Sequence, residues 1–307
     1  MSSGATSLFL TIGGELRFRF DGLAHELASR IRIHLPSFVA ADPSRSPHRG
    51  TGRQATASTR EAEVITITVG EPGPELPSGG ELVLEQDELR IQRSEELVQF
   101  SLQGATAWCD TAHGRGGLLL TDSEPGVLDA LTGLVLDPLL MELAVGRGWL
   151  GLHAAGVAWG GRGVLLPASS GNGKSTIFKA AASAGLDLLS DDLVWVHPAG
   201  DELKLWAFPR GAPSEPAPEP TIGCVPLAAV VHPTLSRRKT SRLEPLTQKE
   251  SFENLVGQSG FLSWGRAAVE RFQMLTHVAQ VPAWRLEAGS DRHQVPELLR
   301  ALLRGGC

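Results

Sequence analysis

Residues 167–176 read Pro-Ala-Ser-Ser-Gly-Asn-Gly-Lys-Ser-Thr. The last four, Gly173-Lys174-Ser175-Thr176, match the end of a phosphate-binding loop of the pattern G-x-x-x-x-G-K-[ST]. Such a loop surrounds phosphate oxygens with backbone N–H groups and a helix N-terminus. Its lysine spans the β- and γ-phosphates, and the next hydroxyl reaches Mg²⁺. The first glycine of the pattern falls here on Ala168. A methyl group is tolerable at that point, where the chain leaves a strand, if φ is negative. Gly171 and Gly173 flank Asn172, so the tight part of the turn keeps its freedom to adopt positive φ.

The flanks decide between a working loop and a chance Gly-Lys-Ser turn. Upstream, Gly163-Val164-Leu165-Leu166 has the character of a buried strand. Downstream, the run from Lys174 reads as a helix that Gly185 ends. A strand before and a helix after is the context the motif needs, and it favours a nucleotide site.

Residues 186–196, LDLLSDDLVWV, come directly after this helix, with Asp191-Asp192 set between apolar pairs. The acidic pair is therefore expected on or beside the strand after the loop's helix. One carboxylate there can reach a metal ion held by Ser175, and the other can accept a proton from an incoming hydroxyl. The plainer alternative is an Asp-Asp turn between two short strands. Upstream, His153 lies in GLHAAGVAW, one strand before the loop's own strand, and Gly160-Gly161 links the two.

Taken in order, His153, Gly163–Leu166, Ser170-Gly171-Asn172-Gly173-Lys174-Ser175-Thr176 and Ser190-Asp191-Asp192 resemble the C-terminal kinase domain of bacterial HPr kinase/phosphorylase. They are similar above all to the HPr-kinase-like enzymes of modified-peptide pathways, lasso peptide kinases among them. The likeness spans residues 126–307 and is densest over 150–197. It implies an ATP-dependent serine kinase whose loop is related to that of phosphoenolpyruvate carboxykinase. It implies ATP and Mg²⁺ as cofactors, with Lys174 and Ser175 on phosphates and metal. Asp191 and Asp192 would supply the base and a metal contact; our own reading, which leaves the choice of base open, takes Asp191 as base and Asp192 on the metal. His153 would lie beside the transferred phosphate. Where HPr kinase carries a signature of the form E-V-R-G-L-G, this chain has Ala207-Phe208-Pro209-Arg210-Gly211, with Arg210 in the arginine role. That signature is linked to the reverse activity, so the resemblance extends to the kinase direction. It also implies a peptide or protein substrate with an acceptor serine, and a homo-oligomer.

The rest of the chain is consistent with this organisation. Its 307 residues are 42% hydrophobic and 20% charged, enough for about two domains with real cores. A formal charge of −6 excludes a bulk electrostatic grip on nucleic acid or on an anionic membrane. The most apolar long stretch, 127–145, contains Asp129, Asp137, Glu142 and Pro138, so no membrane span is expected. Cys109, Cys224 and Cys307 form no C-x-x-C pair or zinc-type cluster. With no signal-like N-terminus, the expected location is cytoplasmic.

We expect an α/β protein: a small β-rich α+β N-terminal domain over 1–125 and a P-loop HPr-kinase-like domain over 126–307. In the first part, two short strands surround Gly13-Gly14, a helix covers 23–35, residues 41–60 form a mobile loop, and a β meander fills 62–120. A helix opens at Pro125-Gly126 and runs to about 147. In the second part, residues 211–220 are a proline-rich break. Beyond it lie a strand at VPLAAVVHP, helices at 249–257 and 266–280, a strand at 281–287 and a helix at 294–304. Arg237, Arg238, Lys239 and Arg242 form a basic cluster, either solvated or reaching the nucleotide or an acidic substrate. Trp195, Trp206, Trp264 and Trp284 are expected in the core rather than as a stacking platform.

Two other functions use the same residues. One is a kinase of small hydroxylated molecules; the other is a nucleotide-binding regulator without transfer activity.

Overall fold

The computed structural model of the protein describes residues 6–12, 15–35, 39–40, 63–76, 80–169, 171–208, 220–259, 265–291 and 293–305. The expected mobile loop, nearly all of the proline-rich break, Trp264 and Cys307 lie outside these residues, as do Ser170 and Arg210. The chain divides into two compact units between Leu139 and Leu140.

The first unit contains β1 (Thr6–Ile12), β2 (Leu16–Leu23), α1 (His25–His34), β3 (Val39–Ala40), β4 (Glu63–Val69) and β5 (Glu81–Gln86). It continues with β6 (Leu89–Ser94), β7 (Leu97–Leu102), β8 (Ala105–Asp110) and β9 (Arg115–Leu120). These form one nine-stranded sheet in the order β3-β1-β2-β4-β9-β8-β7-β6-β5. Alternation sets the buried face: Leu16, Phe18 and Phe20 are buried while Arg17 and Arg19 are not. Strands β5 to β9 form the expected antiparallel meander, but β4 does not belong to it. It lies between β2 and β9 and is parallel to both. Ile65 and Ile67 of β4 are fully buried, which suits a central strand rather than the end of a meander.

The helix expected from Pro125 to about 147 is divided into α2 (Pro125–Ala130), a π-helical segment (Leu131–Leu136) and α3 (Asp137–Val145). Pro138 has no N–H to donate, so a regular α-helical ladder cannot continue through it, and a widened turn absorbs the mismatch. Within the π segment, the Thr132 hydroxyl donates to the carbonyls of Leu128 and Asp129, at 2.9 and 3.2 Å. Arg30 of α1 pairs with Asp129. His34 Nε2 lies 3.2 Å from Asp137 Oδ1, both buried. These ties hold the start of the helical region to α1, so the division falls at Leu139/Leu140 instead of near residue 125.

The second unit contains β10 (Leu150–Trp159), β11 (Arg162–Pro167), α4 (Lys174–Ser183), β12 (Asp187–Ser190), β13 (Leu193–Ala199) and β14 (Glu202–Ala207). Then come β15 (Cys224–Leu235), β16 (Arg242–Leu246), α5 (Gln248–Val256), α6 (Gly265–Ala279), β17 (Ala283–Ala288) and α7 (Gln294–Leu303). Strand β10 changes partner along its length. Leu150–His153 pairs with β13, and Ala154–Trp159 pairs with β11. From β13 the hydrogen bonding runs through β14 to β15, and β15 lies parallel to β11. The path therefore closes into a ring. The last part of β15 continues parallel to β17, and β16 adds an antiparallel edge. The sheet is mixed: of these neighbours only β11, β15 and β17 run parallel.

Two apolar layers hold this arrangement. On one side Leu150, Leu152, Leu165, Val194, Val196 and Leu205 pack with Leu255 of α5 and with Met274, Leu275 and Val278 of α6. On the other, Val157, Val164, Leu166 and Val231 pack with Ile177 and Phe178 of α4 and with Val295 and Leu299 of α7. Consecutive residues Val164, Leu165 and Leu166 are all fully buried, because β11 has a covered layer on each face. Each such side chain contributes about 1.5–3 kcal/mol on leaving water. Trp195 and Trp206 are buried in this unit. Cys109 is buried and Cys224 half-buried. No helix among the described residues is long and apolar enough to cross a membrane.

Candidate active site

Strand β11 ends at Pro167, and the loop turns into α4 at Lys174. Gly171 and Gly173 have φ of +85° and +86°, a region that a side chain disfavours. Gly173 is the N-cap of α4, and its carbonyl accepts the first helical bond from Ile177 N at 2.9 Å. Asn172 N donates to Ser169 O at 3.3 Å, closing the turn. Ala168 is buried and is not among the residues with positive φ. The motif's first glycine is thus dispensable here: the backbone at this point has a conformation alanine adopts without strain.

Lys174 is only 6% exposed. Its Nζ folds back over the loop and donates to the carbonyl oxygen of Ala168. Burial lowers the pKa of this ammonium, and the negative charge of Asp191 opposes that shift. A partly desolvated cation beside a helix N-terminus and a glycine turn favours an anion in the loop. Ser175, the next residue, is exposed, and Thr176 is half-buried.

The acidic pair sits in the bend between β12 and β13. Sheet register brings that bend to the loop. His153 pairs with Leu193 of β13, while the next residue, Ala154, pairs with Pro167 at the end of β11. His153 therefore stands where β10 changes partner, beside the first residue of the loop's departure. Its Nε2 lies 2.8 Å from Asp192 Oδ1, and Ala154 N donates to Asp192 O at 3.1 Å. The structure thus brings together His153, Asp191, Asp192, Lys174 and the 171–176 turn.

One contributor has no signature in the sequence. Gln258, just past α5, accepts from His153 N through its backbone carbonyl at 2.8 Å. Its side-chain Nε2 donates to Ser169 Oγ at 3.2 Å. A single residue therefore links the histidine strand to the base of the loop. A glutamine after an amphipathic helix resembles any solvated helix end, and only long-range packing gives it this place.

No group of three or more His, Cys, Asp and Glu side chains among the described residues gathers as a self-sufficient metal cage. The Ser175 hydroxyl and the Asp192 carboxylate are hard oxygen donors of the kind that could hold a cation such as Mg²⁺.

No protein-family model and no curated protein matches the chain. Among solved structures, the HPr(Ser) kinase/phosphatase from Coxiella burnetii is similar in part. The match covers 50% of this chain and 94% of that chain, at 13% sequence identity and a TM-score of 0.29.

Proposed function

We propose that the second unit is an ATP-dependent phosphotransferase that moves the γ-phosphate of Mg·ATP to a serine hydroxyl on a peptide or protein. The observation that carries this reading is the convergence of a glycine turn, a buried Lys174 and the Asp191-Asp192 bend at the end of β11. A nucleotide-binding regulator would need the turn and the lysine but not a pair of carboxylates beside them. The sequence resemblance to HPr-kinase-like enzymes supports the same chemistry.

In this reading the 171–176 turn cradles the phosphates, and Lys174 leaves the Ala168 carbonyl to neutralise charge on the β- and γ-groups. Ser170 and Arg210 belong to the phosphate-binding set by the resemblance alone. Ser175 and Asp192 would hold Mg²⁺, which would supply neutralisation of phosphate charge. Asp191 orients the acceptor hydroxyl and takes its proton as the oxygen–phosphorus bond forms and the bond to ADP breaks. His153 fixes the orientation of the Asp192 carboxylate, which would hold the metal. Most of the rate then comes from positioning and charge neutralisation rather than covalent work. A precursor peptide of a modified-peptide pathway would be one acceptor of this class.

The test is ATP binding and ATP turnover in the presence of acceptor peptides for wild type, Lys174→Ala and Asp191→Asn. Lys174→Ala should lose both. Asp191→Asn should still bind ATP but turn over about 10²–10⁴-fold more slowly. Near-normal turnover in Asp191→Asn would remove it as the base.

A further inference from the structure

The parallel strands β11, β15 and β17 end at one edge of the second unit, so the segments that leave them share that edge. After β11 comes the phosphate loop. β15 ends at Leu235, and the basic stretch Ser236–Thr240 follows. Leu235 is 52% exposed, unusual for a leucine that ends a central strand. It lies directly against the loop: a Cβ built on Gly173 would be 3.0 Å from Leu235 Cδ2.

The basic stretch is rigidly held. Ser236 N donates to Ala288 O at 2.9 Å, Ser290 N to Arg238 O at 2.9 Å and Asp291 N to Lys239 O at 3.0 Å. Gly289 packs so closely beneath it that a Cβ there would be 2.7 Å from the Lys239 and Thr240 carbonyl oxygens. The cations of this stretch and of the start of β16 are divided in use. Arg242 pairs with Glu287 at 2.8 Å, and Arg238 lies 3.8 Å from the same carboxylate. Arg237 and Lys239 are exposed and form no ion pair among the described residues.

We infer that this edge is the nucleoside end of the site, with Leu235 as the apolar seat of the base and Arg237 and Lys239 supplying positive charge beside the phosphates nearest the ribose. The inference rests on the phosphate-loop reading and extends it to the part of the nucleotide beyond the β- and γ-phosphates. A small apolar surface adjoining a phosphate turn suits a flat ring joined to a polyanion. A stretch already fixed by backbone bonds binds with little ordering cost.

The experiment compares the affinity of the full chain for ATP with that for inorganic tripolyphosphate, which has the charge but no base. Wild type should bind ATP at least about tenfold more tightly. Leu235→Ser should bring ATP down to the tripolyphosphate level and leave tripolyphosphate binding unchanged, while Leu235→Phe keeps the preference. Arg237→Ala with Lys239→Ala should weaken both ligands, by less at high salt. Equal binding of ATP and tripolyphosphate by wild type, or an ATP preference unmoved by Leu235→Ser, would overturn the seat. An unchanged affinity in the Arg237, Lys239 double variant would overturn the role of the cations. The phosphate-loop reading fails separately: Lys174→Ala binding ATP as wild type does would overturn that reading and the inference together.

Discussion

His153 and Asp192 meet through one short contact, Nε2 to Oδ1 at 2.8 Å, although 39 positions separate them in the chain. The carboxylate accepts, and the imidazole fixes its orientation beside the loop. Two backbone bonds fix the same junction, from Ala154 N to Asp192 O and from His153 N to Gln258 O. The dyad is thus built into the point where β10 changes partner.

A first expectation concerns this dyad. His153→Ala should lower kcat about 10–100-fold, the usual cost of losing a group that orients a functional carboxylate. It should leave KM for ATP nearly unchanged, because the loop is untouched. His153→Gln, which can still donate to Asp192, should recover part of the loss. Steady-state kinetics with far-UV circular dichroism as a folding control checks this. A rise in KM at constant kcat would place His153 in nucleotide binding instead.

A second expectation concerns acid stability. His232 of β15 is buried, with Nε2 3.2 Å from the buried Ser251 Oγ. Burial first, and the Arg285 charge second, push its pKa from 6.5 down to about 4. The folded protein therefore keeps His232 neutral where the unfolded chain is already protonated. Below pH 6.5 the unfolded state binds the extra proton, and stability falls until about pH 4, by up to about 3 kcal/mol. Chemical unfolding at pH 7.5 and pH 5 should detect the decline, and His232→Gln should flatten it. An equal slope in the variant would mean that other groups govern acid unfolding.

The third concerns the α3–α6 contact. Arg271 Nη2 donates to Glu142 Oε1 at 2.6 Å, with the side chains 1% and 2% exposed. Removing one partner takes a charge-assisted bond away from a buried charge. Glu142→Leu should cost about 3–5 kcal/mol, and Glu142→Leu with Arg271→Met should recover much of it. Urea denaturation of both variants measures the difference. Additive losses would mean that the two side chains act independently.

The turn at 171–176 was legible because it is a local device. The spacing of Gly171, Gly173, Lys174 and Ser175 fixes the turn, and the strand and helix on either side arise from apolar runs of the right length. Ala168 was readable for the same reason: its tolerance depends on one backbone angle. Strands such as β10, β11 and β15 were legible as apolar runs. Their connection was not. The ring depends on β15 lying beside both β14 and β11, a pairing between distant segments that no local pattern encodes. β4 reads like one more meander strand because its central, parallel place is decided by β2, far upstream. β16 was hidden in a charged stretch, since Arg242 and Glu244 point to Glu287 and Arg285 across an edge rather than to a core. Gln258 was illegible for the related reason that its role lies entirely in long-range contacts.

The most direct test of the proposed kinase function is transfer of label from γ-labelled ATP, with Mg²⁺, to the peptides and proteins of a cell extract. Wild type should be compared with Lys174→Ala and Asp191→Asn. A labelled serine on a peptide or protein is expected with wild type alone. ATP bound by the wild-type protein with no label transferred to any peptide or protein would contradict the assignment.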